Sequence, residues 1–152
     1  MTQNIADRVS RNTSKKINEE IARKTEANIA YLAHARPYEI EQRLAELDQE
    51  WDIERYLETM APSFTLLGLG LGVTLNKKWL LLPLLVQSFF LQHALQGWCP
   101  PIPILRRLGI RTKEEIDREK YALKALRGDF RRIPENTTDS NRKSAATAAV
   151  GL

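Results

Sequence analysis

Two long stretches without a charged residue constrain this chain more than any other feature. They cover residues 59–76 and 79–105, and only Lys77 and Lys78 separate them. A helix needs about 20 predominantly apolar residues, with about 17 as the lower limit, to cross the hydrocarbon core of a bilayer. The 18 and 27 residues of these stretches therefore predict two transmembrane helices joined by a short polar turn.

The alternative is a helical hairpin buried in a protein core. Burying it would require broad apolar faces elsewhere in the chain, and the flanking segments have only narrow ones. Residues 80–91 are apolar nearly all round, unlike an amphipathic helix, which favours the membrane. The expected fold class is all-α: a two-span transmembrane helical hairpin with amphipathic cytoplasmic helices on both flanks.

The distribution of basic residues predicts the orientation of this hairpin. Residues 106–152 hold twelve Lys and Arg against seven Asp and Glu, and Arg106 and Arg107 directly follow the second apolar stretch. Lys and Arg near membrane ends favour the cytoplasmic side. We therefore expect an integral protein of a bacterial inner membrane with both termini in the cytoplasm, and Arg106 and Arg107 as topology determinants.

Three glycines, Gly68, Gly70 and Gly72, lie in the first apolar stretch. Gly68 and Gly72 have the four-residue spacing that lets two membrane helices approach closely. The second helix of the same chain is a ready partner, so we favour packing within the hairpin over dimerisation. Glycine is also common in membrane helices without a specific role.

The segment "GWCPPIP" ends the second apolar stretch and holds the only cysteine, Cys99. Proline cannot continue a helix, and tryptophan is suited to a membrane interface. The predicted membrane-exit motif comprises Gly97, Trp98, Pro100, Pro101 and Pro103. Cys99 is a candidate functional thiol because nearby arginines can lower a thiol pKa. A space-filling structural role is the alternative, and we favour it.

The flanking segments predict two helices of opposite net charge. An acidic amphipathic helix is expected at 37–58, starting with Pro37 in its first turn. A basic one is expected at 106–130, with a capping box from Thr112 to Glu115 and Gly128 near its end. We expect the two helices to pair through an apolar seam that includes Leu47 and Leu123. Independent solvation of each charged face is the alternative.

The remaining segments complete the expected organisation, which comprises a polar helical extension at 1–36, the helix at 37–58, the transmembrane hairpin at 59–105, the helix at 106–130 and a disordered tail at 131–152. No cluster of metal ligands, glycine-rich phosphate loop or nucleophile with a placed base is recognisable in the sequence. We therefore expect no catalytic, metal or cofactor site and no nucleic-acid binding, and the sequence identifies no small-molecule substrate.

The motifs of the apolar middle resemble a known family. The segments "LLGLGLG", "WLLLPLL", "GWCPPIPILRRLGIRT" and "YALKALRGDF" are similar to the YgaP-like transmembrane domain family of bacterial inner-membrane proteins. The family's elements fall here on Gly68, Gly70, Gly72, Gly97, Cys99 and Pro100. The resemblance implies a membrane hairpin, sometimes homo-oligomeric and often appended to a rhodanese domain that handles sulfane sulfur. No second cysteine in an arginine-bearing active-site loop accompanies it here.

These observations predict a non-enzymatic membrane anchor or assembly subunit. Its expected partners are membrane lipid and either another protein or further copies of itself, bound through the hairpin or the flanking helices. The alternative is a thiol-dependent accessory protein that uses Cys99 to handle persulfide sulfur with a rhodanese-type partner.

Overall fold

The computed structural model of the protein describes residues 8–132 together with 144, 145 and 147. All regular secondary structure among these residues is helical, which confirms the all-α class. Apart from 131, 132, 144, 145 and 147, the tail predicted to be disordered lies outside the described residues. The first seven residues of the predicted polar extension also lie outside them.

The described chain divides into two compact units. The first comprises the described residues up to Ala22 together with Trp51–Glu115, and the second comprises Arg23–Glu50 and the described residues from Ile116 onward. The α-helices are α1 (Arg8–Arg11), α2 (Lys15–Leu32), α3 (Pro37–Gln49), α4 (Ile53–Thr74), α5 (Leu81–Gln96), α6 (Ile102–Arg107) and α7 (Lys113–Arg127). Short 3₁₀ helices cover Lys77–Leu80 and Asp129–Arg132.

Local capping fixes the ends of the central helices. Asp52 is the N-cap of α4 and its carboxylate accepts a hydrogen bond from the backbone N–H of Arg55 at 2.7 Å. Asn76 caps the 3₁₀ helix in the same way, accepting from Lys78 N–H at 2.9 Å. Gly97 ends α5 with φ of 73°, a left-handed conformation that favours glycine. The hairpin therefore consists of α4, a 3₁₀ turn and α5.

The prediction of a transmembrane hairpin, and with it the integral inner-membrane localisation, is wrong. Among the described residues, the helices do not combine the length and apolarity that crossing a bilayer demands. Helix α5 has 16 residues, or about 24 Å at 1.5 Å per residue, against a hydrocarbon core of about 30 Å. Helix α4 has 22 residues, but it carries Glu54, Arg55 and Glu58 in its first turns. Lipid as a partner, and Arg106 and Arg107 as topology determinants, stay predictions.

The first unit is built around one apolar cluster. It joins the α1, α4 and α6 helices with the loop after α5 through Val9, Ile53, Leu57, Cys99, Ile102 and Leu105. Ile53 and Ile102 are fully buried. A backbone hydrogen bond from Ile53 N–H to Arg111 O at 3.1 Å ties the start of α4 to the segment before α7. The base of the hairpin is thereby anchored in the core of its unit.

The second unit contains the predicted pairing between the flanking helices, which the structure confirms. Its apolar cluster comprises Leu32, Ile40, Leu44, Leu47, Ile116 and Leu123. Beside this seam, Arg43 Nε donates to the buried carboxylate of Glu119 at 2.9 Å, and Lys120 forms an ion pair with Asp48. The helix predicted at 37–58 is divided, because Glu50 and Asp52 separate α3 from α4.

Candidate interaction surface and apolar cavity

The glycines of α4 have unequal surroundings. A Cβ atom at Gly68 would lie 2.5 Å from Cδ of Pro83, and one at Gly72 would lie 2.5 Å from the Leu80 side chain. A Cβ at Gly70 would meet no atom within 4 Å. Gly68 and Gly72 therefore face the returning half of the hairpin, whereas Gly70 lies on its outer side.

A polar contact also joins the two helices of the hairpin. Gln87 Nε2 in α5 donates to Oγ1 of Thr65 in α4 at 2.7 Å. The Thr65 hydroxyl donates in turn to the backbone carbonyl of Ala61 at 2.8 Å. This short relay satisfies the Thr65 hydroxyl along a seam that is otherwise apolar.

The hairpin carries an extensive set of exposed apolar side chains. Of the 21 large hydrophobic residues that are exposed in the described part of the chain, 14 lie on the hairpin. We call these 14 residues the hairpin surface: Phe64, Leu66, Leu67, Leu69, Val73, Leu75, Trp79, Leu80, Leu81, Leu84, Leu85, Phe89, Leu91 and Leu95. Exposed apolar side chains concentrated on one element are typical of an interaction site, since large apolar patches are rarely exposed on isolated proteins.

An apolar cavity of about 320 Å³ lies between the two helices at the open end of the hairpin. Leu57, Met60, Ala61 and Phe64 line it from α4, with spacings of three, one and three residues that follow one helical stripe. Helix α5 contributes its own stripe, and the loop after α5 completes the lining. We call this space the hairpin cavity. Its volume lies at the lower end of the range for small-molecule sites.

Cys99 lies in the wall of the hairpin cavity, in the loop after α5. The thiol is buried, with 2% of the residue exposed, and it also belongs to the apolar core of its unit. Burial raises the pKa of Cys99 to about 11, and the charge of Glu54 adds to this, against the lowering effect of the Ile102 backbone hydrogen bond. A thiol with so high a pKa has little thiolate at neutral pH and is a poor nucleophile.

The predicted membrane-exit motif turns the chain between two helices. Helix α5 already ends before the prolines, at Gly97, where a Cβ atom would collide with Arg8. Pro101 and Pro103 instead begin α6, where proline is tolerated because the first helical N–H groups need no partner within the helix. Trp98 is partly buried, and Pro100 is exposed where it lines the hairpin cavity.

Arg106 lies in a buried network of hydrogen bonds. It is 1% exposed, and its NH1 and NH2 groups donate to the two carboxylate oxygens of Glu115 at 2.6 and 2.8 Å. Further bonds reach Asn18 Oδ1 at 2.7 Å and Ile110 O at 3.2 Å. Arg107 is exposed. The two adjacent arginines therefore have different surroundings. A count of charges along the sequence cannot predict this difference, because it depends on contacts formed in the folded chain.

Glu115 serves two groups at once. Its Oε2 atom also accepts from the backbone N–H of Thr112 at 2.9 Å, and Thr112 Oγ1 accepts from Glu115 N–H at 3.3 Å, so the predicted capping box is confirmed. Burial by itself would raise the pKa of Glu115. The hydrogen bonds from Arg106 and Thr112, with the charges of Arg106 and Arg111, outweigh burial and lower this pKa below its usual range.

A second buried polar contact, between His93 and Glu54, has no local signature in the sequence. His93 is 3% exposed, and its Nε2 lies 2.8 Å from Oε2 of Glu54. We found no hydrogen-bond partner for its Nδ1 among the described residues. Because Glu54 lies 39 positions earlier, only the packing of α4 on α5 brings the two together.

Comparison with known proteins adds no relative: neither a protein-family model, nor a curated protein, nor a solved structure matches the chain. The resemblance to the YgaP-like transmembrane domain family therefore stays a prediction. The described residues also contain no group of three or more His, Cys, Asp or Glu side chains that could hold a metal ion.

Proposed function

We propose that this chain is a non-enzymatic assembly subunit that self-associates through the hairpin surface. The observation that carries the proposal is the concentration of exposed large apolar side chains on this one element. Burying such a surface is favourable by about 25 cal/mol per Å² of apolar area. This apolar surface therefore favours contact with a protein, which removes it from water.

A second copy of the chain is a suitable partner for this surface. Residues 59–76 and 79–105 contain no charge, so two hairpins can face each other without unpaired charges in the contact. Lys77 and Lys78 at the hairpin turn are the exception, and an antiparallel arrangement keeps the two pairs of lysines apart. Two-fold assembly of identical subunits uses the same patch twice, as such an apolar surface allows.

The test compares two double variants with matched exposure. Leu66→Gln/Leu84→Gln alters the hairpin surface at residues that are 70% and 63% exposed, and Leu108→Gln/Ile104→Gln is the control at residues that are 72% and 62% exposed. Burial of one leucine contributes about 1.5–3 kcal/mol. The hairpin variant is therefore expected to weaken self-association by a factor of about 10² or more, and the control variant to leave it unchanged.

Sedimentation velocity over a concentration series measures this association directly. A wild-type chain that stays monomeric up to high micromolar concentration would refute the proposal. Equal weakening by both double variants would refute the assignment to the hairpin surface. Circular dichroism of both variants checks that the helices are retained.

The persulfide alternative stays a prediction, and two features of Cys99 weigh against it. The thiol is almost fully buried, and its pKa is raised to about 11. Sulfur transfer requires an accessible thiolate, because the thiolate is the nucleophile. These features favour the structural role for Cys99 within the core of its unit.

A further inference from the structure

We infer that the hairpin cavity binds the hydrocarbon chain of a single-chain amphiphile, such as a free fatty acid. The cavity measures about 320 Å³, and its lining is apolar, with the Cys99 thiol as the most polar side-chain group. The inference goes beyond self-assembly, because it concerns the space between α4 and α5, whose lining shares only Phe64 and Phe89 with the hairpin surface.

The chemistry of the lining selects an apolar occupant. A buried water needs two to four polar partners, and the side chains around this cavity offer no oxygen or nitrogen atom. Water is therefore a poor occupant, whereas a hydrocarbon needs no hydrogen bond.

The shape of the lining selects an elongated occupant. On α4 it extends from Leu57 to Phe64, and on α5 from Leu82 to Phe90. At 1.5 Å per residue these stripes are about 10 and 12 Å long, running side by side along the seam. Near the turn the helices close on each other at Gly68 and Gly72, so the space is a slot with one tight end. An unbranched chain fits such a slot, and its polar end can remain in water at the open side.

Cys99 provides a reporter inside the native protein. It is the only cysteine of the chain and lines the cavity. The rate at which the protein reacts with methyl methanethiosulfonate therefore measures the accessibility of this cavity alone. The probe ligand is dodecanoic acid below its micellar concentration. At about ten times the dissociation constant, binding to the native state is expected to slow the reaction about tenfold.

Two phenylalanine variants locate the ligand. Ala61→Phe places a ring into the cavity from a buried lining position, whereas Leu66→Phe places the same ring on the exposed side of α4. Protection by dodecanoic acid is expected to disappear in Ala61→Phe and to persist in Leu66→Phe. Protection that is equal in both variants, or absent from the wild type, overturns the inference.

A second measurement decides the matter if Ala61→Phe does not fold. Intermolecular nuclear Overhauser effects are expected between the dodecanoate methylenes and the rings of Phe89 and Phe90 in the wild type. Their absence at saturating ligand overturns the inference.

The self-assembly proposal and the cavity can fail separately. The Leu66→Gln/Leu84→Gln variant leaves the cavity lining intact, so it is expected to lose self-association and keep ligand protection. Loss of protection in this variant would place the ligand on the hairpin surface and overturn the cavity site.

Discussion

The substitution Glu115→Gln isolates the buried ion pair with Arg106. Glutamine retains the role of the glutamate in a capping box, since either residue can accept from the N-cap backbone. What the variant loses is the negative charge that faces a guanidinium with no side-chain exposure. A loss of stability therefore reports on the charge pair and not on the start of α7.

The magnitude follows from the two bonds that Arg106 makes to Glu115, at 2.6 and 2.8 Å. Hydrogen bonds to charged groups contribute about 1.5–3 kcal/mol each. Removing one partner of a buried pair costs about 3–5 kcal/mol, because the other charge stays buried without compensation. We expect Glu115→Gln to lower the free energy of unfolding by about 3–5 kcal/mol.

Urea denaturation followed by circular dichroism measures this free energy. The control is Glu114→Gln in the same helical turn, where only a helix-dipole contribution of about 0.3–1 kcal/mol is at stake. A loss below about 1 kcal/mol for Glu115→Gln, the size of an exposed pair, would refute the argument that the buried charge needs its partner.

The pH dependence of the same variant provides a further check. The folded-state pKa of Glu115 is lowered, while the unfolded-state value is about 4.3. The stability contributed by this carboxylate is therefore fully present above the unfolded-state pKa and is lost as the pH falls through the folded-state pKa. The difference in stability between wild type and Glu115→Gln should be largest near neutral pH and shrink below about pH 4.3.

Further predictions concern the glycines and the thiol. Gly70→Ala should stabilise the protein by up to about 1 kcal/mol, because alanine favours the helix and the new Cβ meets no atom within 4 Å. Gly68→Ala should destabilise the protein, because the new Cβ would lie 2.5 Å from the stiff Pro83 ring. Urea denaturation measures the free energy of unfolding of both variants. An equal effect of the two substitutions would contradict the close packing of Gly68 on Pro83. Gly97→Ala should also destabilise the protein, since φ is 73° there. The pKa of Cys99 is raised to about 11 in the folded protein, whereas it is about 8.5 in urea. At pH 8, Cys99 should therefore react with methyl methanethiosulfonate at least about 100-fold more slowly in the folded protein than in urea. Comparable rates would show an accessible thiol.

Local signals in the sequence predicted several features of the fold. Pro37 begins α3, and Thr112 and Glu115 form the capping box of α7. The apolar seam between the flanking helices also followed from helical spacing. Such features depend on residues within one or two turns of each other, where the chemistry of a cap or the period of a helix determines the geometry.

The polar contacts of the first unit could not be predicted in this way. Arg106 meets Asn18 across 88 positions and His93 meets Glu54 across 39. In the sequence, Arg106 and Arg107 are neighbours with the same local composition, so no local signal predicts which of them is buried and which is exposed. Arg106 is buried through its contacts with Asn18 of α2 and Glu115 of α7, whereas Arg107 is exposed.

The prediction of membrane spans was wrong because the length of each apolar stretch was taken as the distance between charged residues. The helices themselves end at their capping residues. Asp52 starts α4 early enough to include Glu54 and Arg55. The 3₁₀ helix Lys77–Leu80 precedes α5 and Gly97 ends it, which leaves α5 with 16 residues. An all-round apolar helix satisfies lipid and protein equally well, so only its length separates the two. The hairpin has the leucine-rich surface that is typical of membrane helices, but not the helix length that spanning a bilayer requires. Since exposed apolar surface of this extent favours burial, a contact with another hairpin of the same length can cover it from end to end.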